Sequence, residues 1–217
     1  MLDALIAIPV GYGIGSIPVA YLAGRWAGGI DIRERGSGNV GASNVWQTVS
    51  RGLVVPVGLA QIAQGFMAVA IARALGANEG VQAASGAAAV IACDWNPWLR
   101  FTGGRGIGAS IGVLLAMSWF ALGAFVVVAL AGVALRAIPQ GVGLALIAAP
   151  VAAFIAGDAA PVVAGCVALA ALAAVKRVLA NAPPAPELAR PGVWWTRLTL
   201  DRDIRDREAW VRRRAER

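Results

Sequence analysis

The chain has 217 residues, 59% of them hydrophobic and 14% charged, with a mean hydropathy of +0.69; that is too apolar for a soluble domain of this length, whose surface needs more polar cover. It carries a net charge of +7 and no histidine, which excludes His-containing zinc sites, Ser-His-Asp triads and histidine general bases. The basic residues lie between long apolar runs and in the C-terminal segment, not interleaved with aromatics, so they point to membrane topology and not to nucleic acid.

A membrane span takes about 20 apolar residues. Leu2–Ala23 meets this, carries Asp3, and has no basic leader before it, so it reads as a retained first span and not as a signal peptide. Leu53–Leu75 is a second span. Val81–Cys93 is shorter and runs into Trp95-Asn96-Pro97-Trp98, an interfacial segment. Ile107–Leu135 is too long for one helix and reads as a hairpin turning near Ser118-Trp119. Val142–Gly157 and Ala159–Val175 follow, separated by Asp158, with Pro150 and Pro161 as kinks. Ala182-Pro183-Pro184-Ala185-Pro186 is a stiff linker. Beyond it come Trp194, Trp195 and Trp210, and the spacings Asp201–Arg205 and Asp203–Arg207 predict a solvated helix.

Charge decides the count. With about seven transmembrane helices, N-terminus out and C-terminus in, one face collects Arg25, Arg33, Arg35, Arg51, Arg100, Arg105, Arg136, Lys176, Arg177 and the arginines of the tail. Only Arg73 then falls near the outer face. The expected fold is an all-α polytopic membrane protein, with residues 1–178 as the integral membrane domain and 179–217 as a Pro-rich linker and charged cytoplasmic tail. Cys93 and Cys166 lie far apart in apolar runs, and no metal or cofactor site is expected. A transporter or channel would call for ionisable groups inside the spans, which are almost lacking.

Two cytoplasmic segments break the apolar monotony in the same way. The first is Gly36-Ser37-Gly38-Asn39-Val40-Gly41-Ala42-Ser43-Asn44; the second is Thr102-Gly103-Gly104-Arg105-Gly106-Ile107-Gly108-Ala109-Ser110. Glycines let successive backbone N–H groups turn toward one point, and a following helix N-terminus adds further donors and a favourable dipole. Arg105 adds a permanent cation that can hold phosphate oxygens in pairs. Ser37, Asn39, Ser43 and Asn44 can donate to a phosphate or a polyol hydroxyl. Loops of this kind also serve only as connections whose Ser and Asn cap helices. Composition alone carries the reading as far as an anion site at the cytoplasmic membrane surface.

Gly15-Ser16-Ile17-Pro18 through Tyr21, Gly29-Ile30-Asp31-Ile32-Arg33 and the first Gly-rich block resemble the first signature of the bacterial acyl-phosphate:glycerol-3-phosphate acyltransferases, the PlsY type. Phe101-Thr102-Gly103-Gly104-Arg105-Gly106 resembles the second, and the likeness covers about residues 4–180. The resemblance implies a seven-span enzyme of the bacterial inner membrane. It would move an acyl chain from acyl phosphate to the 1-hydroxyl of glycerol 3-phosphate, giving lysophosphatidic acid in phospholipid synthesis. Its partners are those two substrates and the lipid bilayer, with no nucleic acid. By position, Ser37 and Arg105 would be the catalytic pair. Gly38, Asn39, Gly41, Ser43, Asn44, Arg51, Gly103, Gly104 and Gly106 would bind substrate, and the substrate's own phosphate would assist deprotonation. The family pattern is broken at Gln47, where it has an arginine, at Cys93, where it has a histidine, and at Ala171 and Ala174, where it has His and Asn. Arg51, four residues after Gln47, is the cation placed to compensate for it. These departures leave a second reading, a non-catalytic paralogue that binds phosphorylated lipid precursors or a membrane partner.

Overall fold

The computed structural model describes residues 2–181 and 191–206, and these are helical with no strand. Ten α-helices run in chain order: α1 (Leu2–Gly15), α2 (Val19–Gly28), α3 (Ala42–Thr48), α4 (Val54–Ala74), α5 (Glu79–Asp94), α6 (Ile107–Met117), α7 (Trp119–Ala134), α8 (Ile138–Ile155), α9 (Ala160–Leu179) and α10 (Val193–Leu200). Among the described residues, four stretches are long and apolar enough to cross a membrane: Leu2–Gly28, Arg51–Ala74, Ile138–Ile155 and Ala160–Leu179. The two helices Ile107–Met117 and Trp119–Ala134 are apolar but shorter.

The expected first span is broken. Helix α1 stops at Gly15, ahead of Ser16-Ile17-Pro18, because proline supplies no N–H and disfavours helix in the residue before it. The carbonyls left open there find side-chain donors. Gln64 Nε2 of α4 donates to Ile14 O (2.7 Å) and Ile17 O (2.9 Å), and Asn96 Nδ2 to Ser16 O at 2.7 Å. Trp98 Nε1 donates to Ser16 Oγ at 3.1 Å. In an apolar medium such groups have no water to turn to, so the break is stable only where these side chains reach it.

The apolar run at 107–135 also breaks, at Ser118. Its side chain accepts from Ala121 N and so caps α7; its Oγ donates to Asp158 Oδ2 at 2.5 Å. The two halves do not pair as a tight hairpin: α6 lies chiefly on α4, and α7 on α8. Pro161 occupies the first turn of α9, where its missing N–H costs nothing, so it starts that helix instead of kinking it. Pro150 does lie inside α8.

Small residues set the helix spacing. A Cβ on Gly65 of α4 would collide with Ala109 O of α6, and one on Gly112 of α6 with Ile62 O of α4. Gly132 of α7 and Gly141 of α8 meet the same way, a Cβ on either lying 2.5 Å from the other's Cα. Such approach of backbones is the usual means of packing helices where burial from water offers no drive. The main core joins α4 to α9 through Val69, Val90, Val113, Leu114, Phe125, Leu146 and Leu169. A separate small core of Ala20, Ile32, Val40, Val45, Val57 and Leu99 supports the first Gly-rich segment.

Connections alternate between two ends. The turns after α4, α6 and α8 share one end, where Arg73 Nη2 reaches Ala116 O at 2.6 Å and Ser118 meets Asp158. The other end carries both Gly-rich segments, the α7–α8 turn with Arg136, and the end of α9. The expected solvated helix from Asp201 is not formed over its described part: residues 201–205 are bends. Instead α10 packs against α9 and α8. Arg197 Nη1 donates to Val178 O (3.1 Å) and Leu179 O (3.3 Å), its Nε meets Asp203 Oδ1 at 2.5 Å, and Arg177 Nη1 donates to Leu198 O at 3.2 Å. Packing against the body outcompetes the local i,i+4 pairs because it also satisfies the open carbonyls of α9. The Pro-rich linker, Arg207 and Trp210 lie outside the described residues.

Candidate functional site

The first Gly-rich segment is organised from within. Asn44, in the first turn of α3, is fully buried; its Nδ2 donates to Ile32 O (3.0 Å) and Arg35 O (3.1 Å), and its Oδ1 accepts from Ser37 N at 3.1 Å. Asn44, expected to bind substrate, thus shapes the loop from within. Ser37 is half-buried and its Oγ accepts from Asn39 N at 3.3 Å. Asn39 Oδ1 is buried with no hydrogen-bond partner, and its amide nitrogen lies 3.2 Å from where a Cβ of Gly41 would be. Just before this loop, Asp31 is gripped by Arg33 (Nη2 to Oδ2, 2.6 Å), and that bond holds its carboxyl below the usual carboxylate range. Ser43 is exposed on α3.

The second segment lies against the first. Val40 N donates to Gly103 O at 3.2 Å, and a Cβ on Gly104 would sit 2.9 Å from Val40 O. Gly104 N donates to Cys93 O at 2.9 Å, and a Cβ on Gly103 would strike that same carbonyl and Asp94 O. Gly103 and Gly104 are therefore required by close backbone approach. Gly106, at φ 61°, caps α6 in the left-handed region. Asn181 pins the two segments together: its Nδ2 donates to Gly103 O (2.9 Å) and Gly38 O (3.3 Å), while its Oδ1 accepts from Gly103 N at 3.3 Å.

Arg105 stands at this junction, 15% exposed in its side chain. Its Nη1 donates to Lys176 O at 2.9 Å, and its Nε lies 2.8 Å from Asp201 Oδ1, close in distance but out of line for a hydrogen bond. Burial pushes the Asp201 carboxyl above its ordinary value, against the opposing pull of Arg105 and Arg177.

Beneath the loops is a charged group absent from the expected site. Lys176 is fully buried, its Nζ 4.9 Å from the Trp95 ring and without a hydrogen bond. Asp94 is also fully buried with neither oxygen bonded; a Cβ on Gly106 would lie 3.0 and 3.2 Å from those oxygens. Its carboxylate thus rests against the N-terminus of α6, where the helix dipole favours an anion. Lys176 and Arg105 are the cations that face it.

Gln47 is exposed on α3, and Arg51 is exposed at the start of a short turn of helix, where its carbonyl accepts from Val54 N. Cys93 Sγ lies 3.2 Å from Gly15 O, which ties it to the broken end of α1. Ala171 is exposed and Ala174 half-buried on α9. Among the described residues no cluster of His, Cys, Asp and Glu could hold a metal ion.

Comparison with known proteins gives a consistent picture. The family described as Glycerol-3-phosphate acyltransferase matches residues 5–181. A glycerol-3-phosphate acyltransferase of Synechococcus sp. (strain JA-2-3B'a(2-13)) is 48% identical over 119 residues; that match takes in 55% of this chain and spans 59% of the relative's length. Glycerol-3-phosphate acyltransferase 4 of Dehalococcoides mccartyi (strain CBDB1) is 36% identical over 216 residues, 96% of this chain and 93% of that one. The crystal structure of PlsY (YgiH), an integral membrane glycerol 3-phosphate acyltransferase in its glycerol 3-phosphate form, superposes with a TM-score of 0.72 at 29% identity. That superposition covers 80% of this chain and 88% of the other. The lysophosphatidic acid form gives the same TM-score at 27% identity.

Proposed function

The chain belongs to the glycerol-3-phosphate acyltransferase family, and from that premise we propose that it transfers an acyl chain from an acyl phosphate to the 1-hydroxyl of glycerol 3-phosphate. The hydroxyl oxygen attacks the acyl carbonyl carbon, the carbon–oxygen bond to phosphate breaks, and inorganic phosphate leaves with the hydroxyl proton. The products are lysophosphatidic acid and phosphate. The observation that carries this reading is the junction of the two Gly-rich segments, with Arg105 at its edge. The Arg105 guanidinium, together with the N–H groups that the uncapped start of α6 leaves open, would neutralise phosphate charge and position the acyl carbonyl, work that requires no histidine.

In this assignment Ser37 and Arg105 serve the reacting groups. Gly38, Asn39, Gly41, Gly103, Gly104 and Gly106 supply the cradle, Ser43 and Arg51 its exposed rim, and Asn44 acts through the loop it holds. Ala171 and Ala174 leave α9 without the polar pair that the resemblance implies there, and Lys176 and Arg177 are the cations of its last turn. The loop end of the bundle would face the cytoplasm of a bacterial inner membrane, with seven crossings and the N-terminus outside.

The test is turnover by the purified full chain with acyl phosphate and glycerol 3-phosphate. Arg105→Ala is expected to lower kcat/KM by about 100-fold or more, as loss of one charge-stabilising donor does elsewhere, and Ser37→Ala to lower it as well. Variants that fold and keep native turnover would remove these residues from the site. Binding of acyl phosphate without any turnover would favour the non-catalytic reading.

A further inference from the structure

We propose that Asp201 is a positioning residue of the acyl-transfer site, a carboxylate brought by the C-terminal segment to fix the orientation of Arg105. This rests on the acyltransferase reading above and extends it to a part of the chain beyond residues 5–181, the stretch that the family match covers.

Three observations converge. The first is how the guanidinium is held: Nη1 donates to Lys176 O at 2.9 Å, and Asp201 Oδ1 makes an ion pair with Nε at 2.8 Å, so the protein grips the group from two sides. A guanidinium fixed along two edges keeps its remaining N–H groups at one defined position, the requirement for stabilising charge that develops in a transition state. The second is that Asp201 is itself fixed. It ends α10 at φ 55°, a left-handed conformation that Asp adopts at some cost. The helix before it is held to the end of α9 by Arg197 on Val178 O and Leu179 O, and by Arg177 on Leu198 O. The third is the local balance of charge. Arg105, Lys176 and Arg177 are the basic groups of this corner, and Asp94 and Asp201 are the acidic groups that face them.

The last point separates positioning from obstruction. Removing the Asp201 charge leaves the corner more positive and tightens ground-state binding of an anion in either case. If the carboxylate merely competes with phosphate for Arg105, its removal raises turnover. If it orients Arg105, turnover falls although binding does not.

The experiment measures kcat and KM for glycerol 3-phosphate in the full-length chain, in Asp201→Asn, in Asp201→Glu, and in Asp201→Asn combined with Arg105→Ala. Glu79→Gln, exposed at the opposite end of the bundle, is the control and keeps native values. Asp201→Asn is expected to lose about tenfold in kcat with KM unchanged or lower, to recover part of the loss as Asp201→Glu, and to cost nothing further in the Arg105→Ala background. An unchanged or raised kcat in Asp201→Asn overturns the proposal, as does an equal loss with and without Arg105; the acyltransferase reading survives both. Absence of turnover in the native chain overturns both together.

Discussion

Asn44 gives a direct handle on the loop that it organises. Its side chain fills three hydrogen-bonding roles within the first Gly-rich segment while fully buried. Truncation removes the Asn44 partner of Ser37 N and of Ile32 O, while Arg35 O keeps Gly38 N; a buried group left without a partner costs about 1–3 kcal/mol. Asn44→Ala is therefore expected to lower the melting temperature of the detergent-purified protein and to reduce turnover together with it; loss of turnover at native stability would mean that Asn44 touches substrate after all. Asp31 offers a second test. Its carboxyl is held below its ordinary value, chiefly by the hydrogen bond from Arg33. A depressed folded pKa means that the stabilisation is present above the unfolded value and is lost as pH falls through the folded one. The native chain is expected to be more stable than Asp31→Asn at pH 7, with the difference closing below about pH 4. A difference independent of pH over that range would remove the ion pair from the account. The Gly-rich blocks and Arg105 were legible in the sequence because each is a contiguous run. Asp94, Lys176, Asn181 and Asp201 were not, because each acquires its role from a neighbour on another element. Asp201 stands at helical spacing from Arg205 in the sequence, but the chain bends at 201–205 and Asp201 meets Arg105 instead.

Helices of this bundle are spaced by glycine. Gly112 faces Ile62 O across the α4–α6 contact, whereas Gly123 on α7 has nothing within 4 Å of its would-be Cβ. Gly112→Val forces the two helices apart and is expected to cost about 1–3 kcal/mol as overpacking does, read as a lower melting temperature. Gly123→Ala is expected to leave it unchanged or slightly raised, since alanine favours helix; equal effects at both positions would contradict close helix approach as the cause. Apolar length located the helices from sequence, and the Ser118 break fell where the length of the 107–135 run required one. Length could not reveal that the first span stops at Gly15, since residues 16–23 remain apolar. The break depends on Gln64 and Asn96 reaching Ser16-Ile17-Pro18 from other helices.

The whole molecule separates its two ends by charge. Arg136 lies with the Gly-rich segments and is exposed; Glu79 is exposed at the other end. With seven crossings, a membrane-impermeant thiol reagent is expected to label Arg136→Cys from the cytoplasmic side only and Glu79→Cys from the outer side only; labelling of both from one side would refute the topology. The loops, Arg105 and the docked C-terminal helix all gather at the end assigned to the cytoplasm, where water-soluble glycerol 3-phosphate would meet a membrane-held acyl donor. The most direct measurement is product analysis with the protein in lipid vesicles given acyl phosphate and labelled glycerol 3-phosphate. The account predicts lysophosphatidic acid and inorganic phosphate in equal amounts, both dependent on Arg105. Acyl phosphate left intact, with no labelled lipid formed, would contradict it.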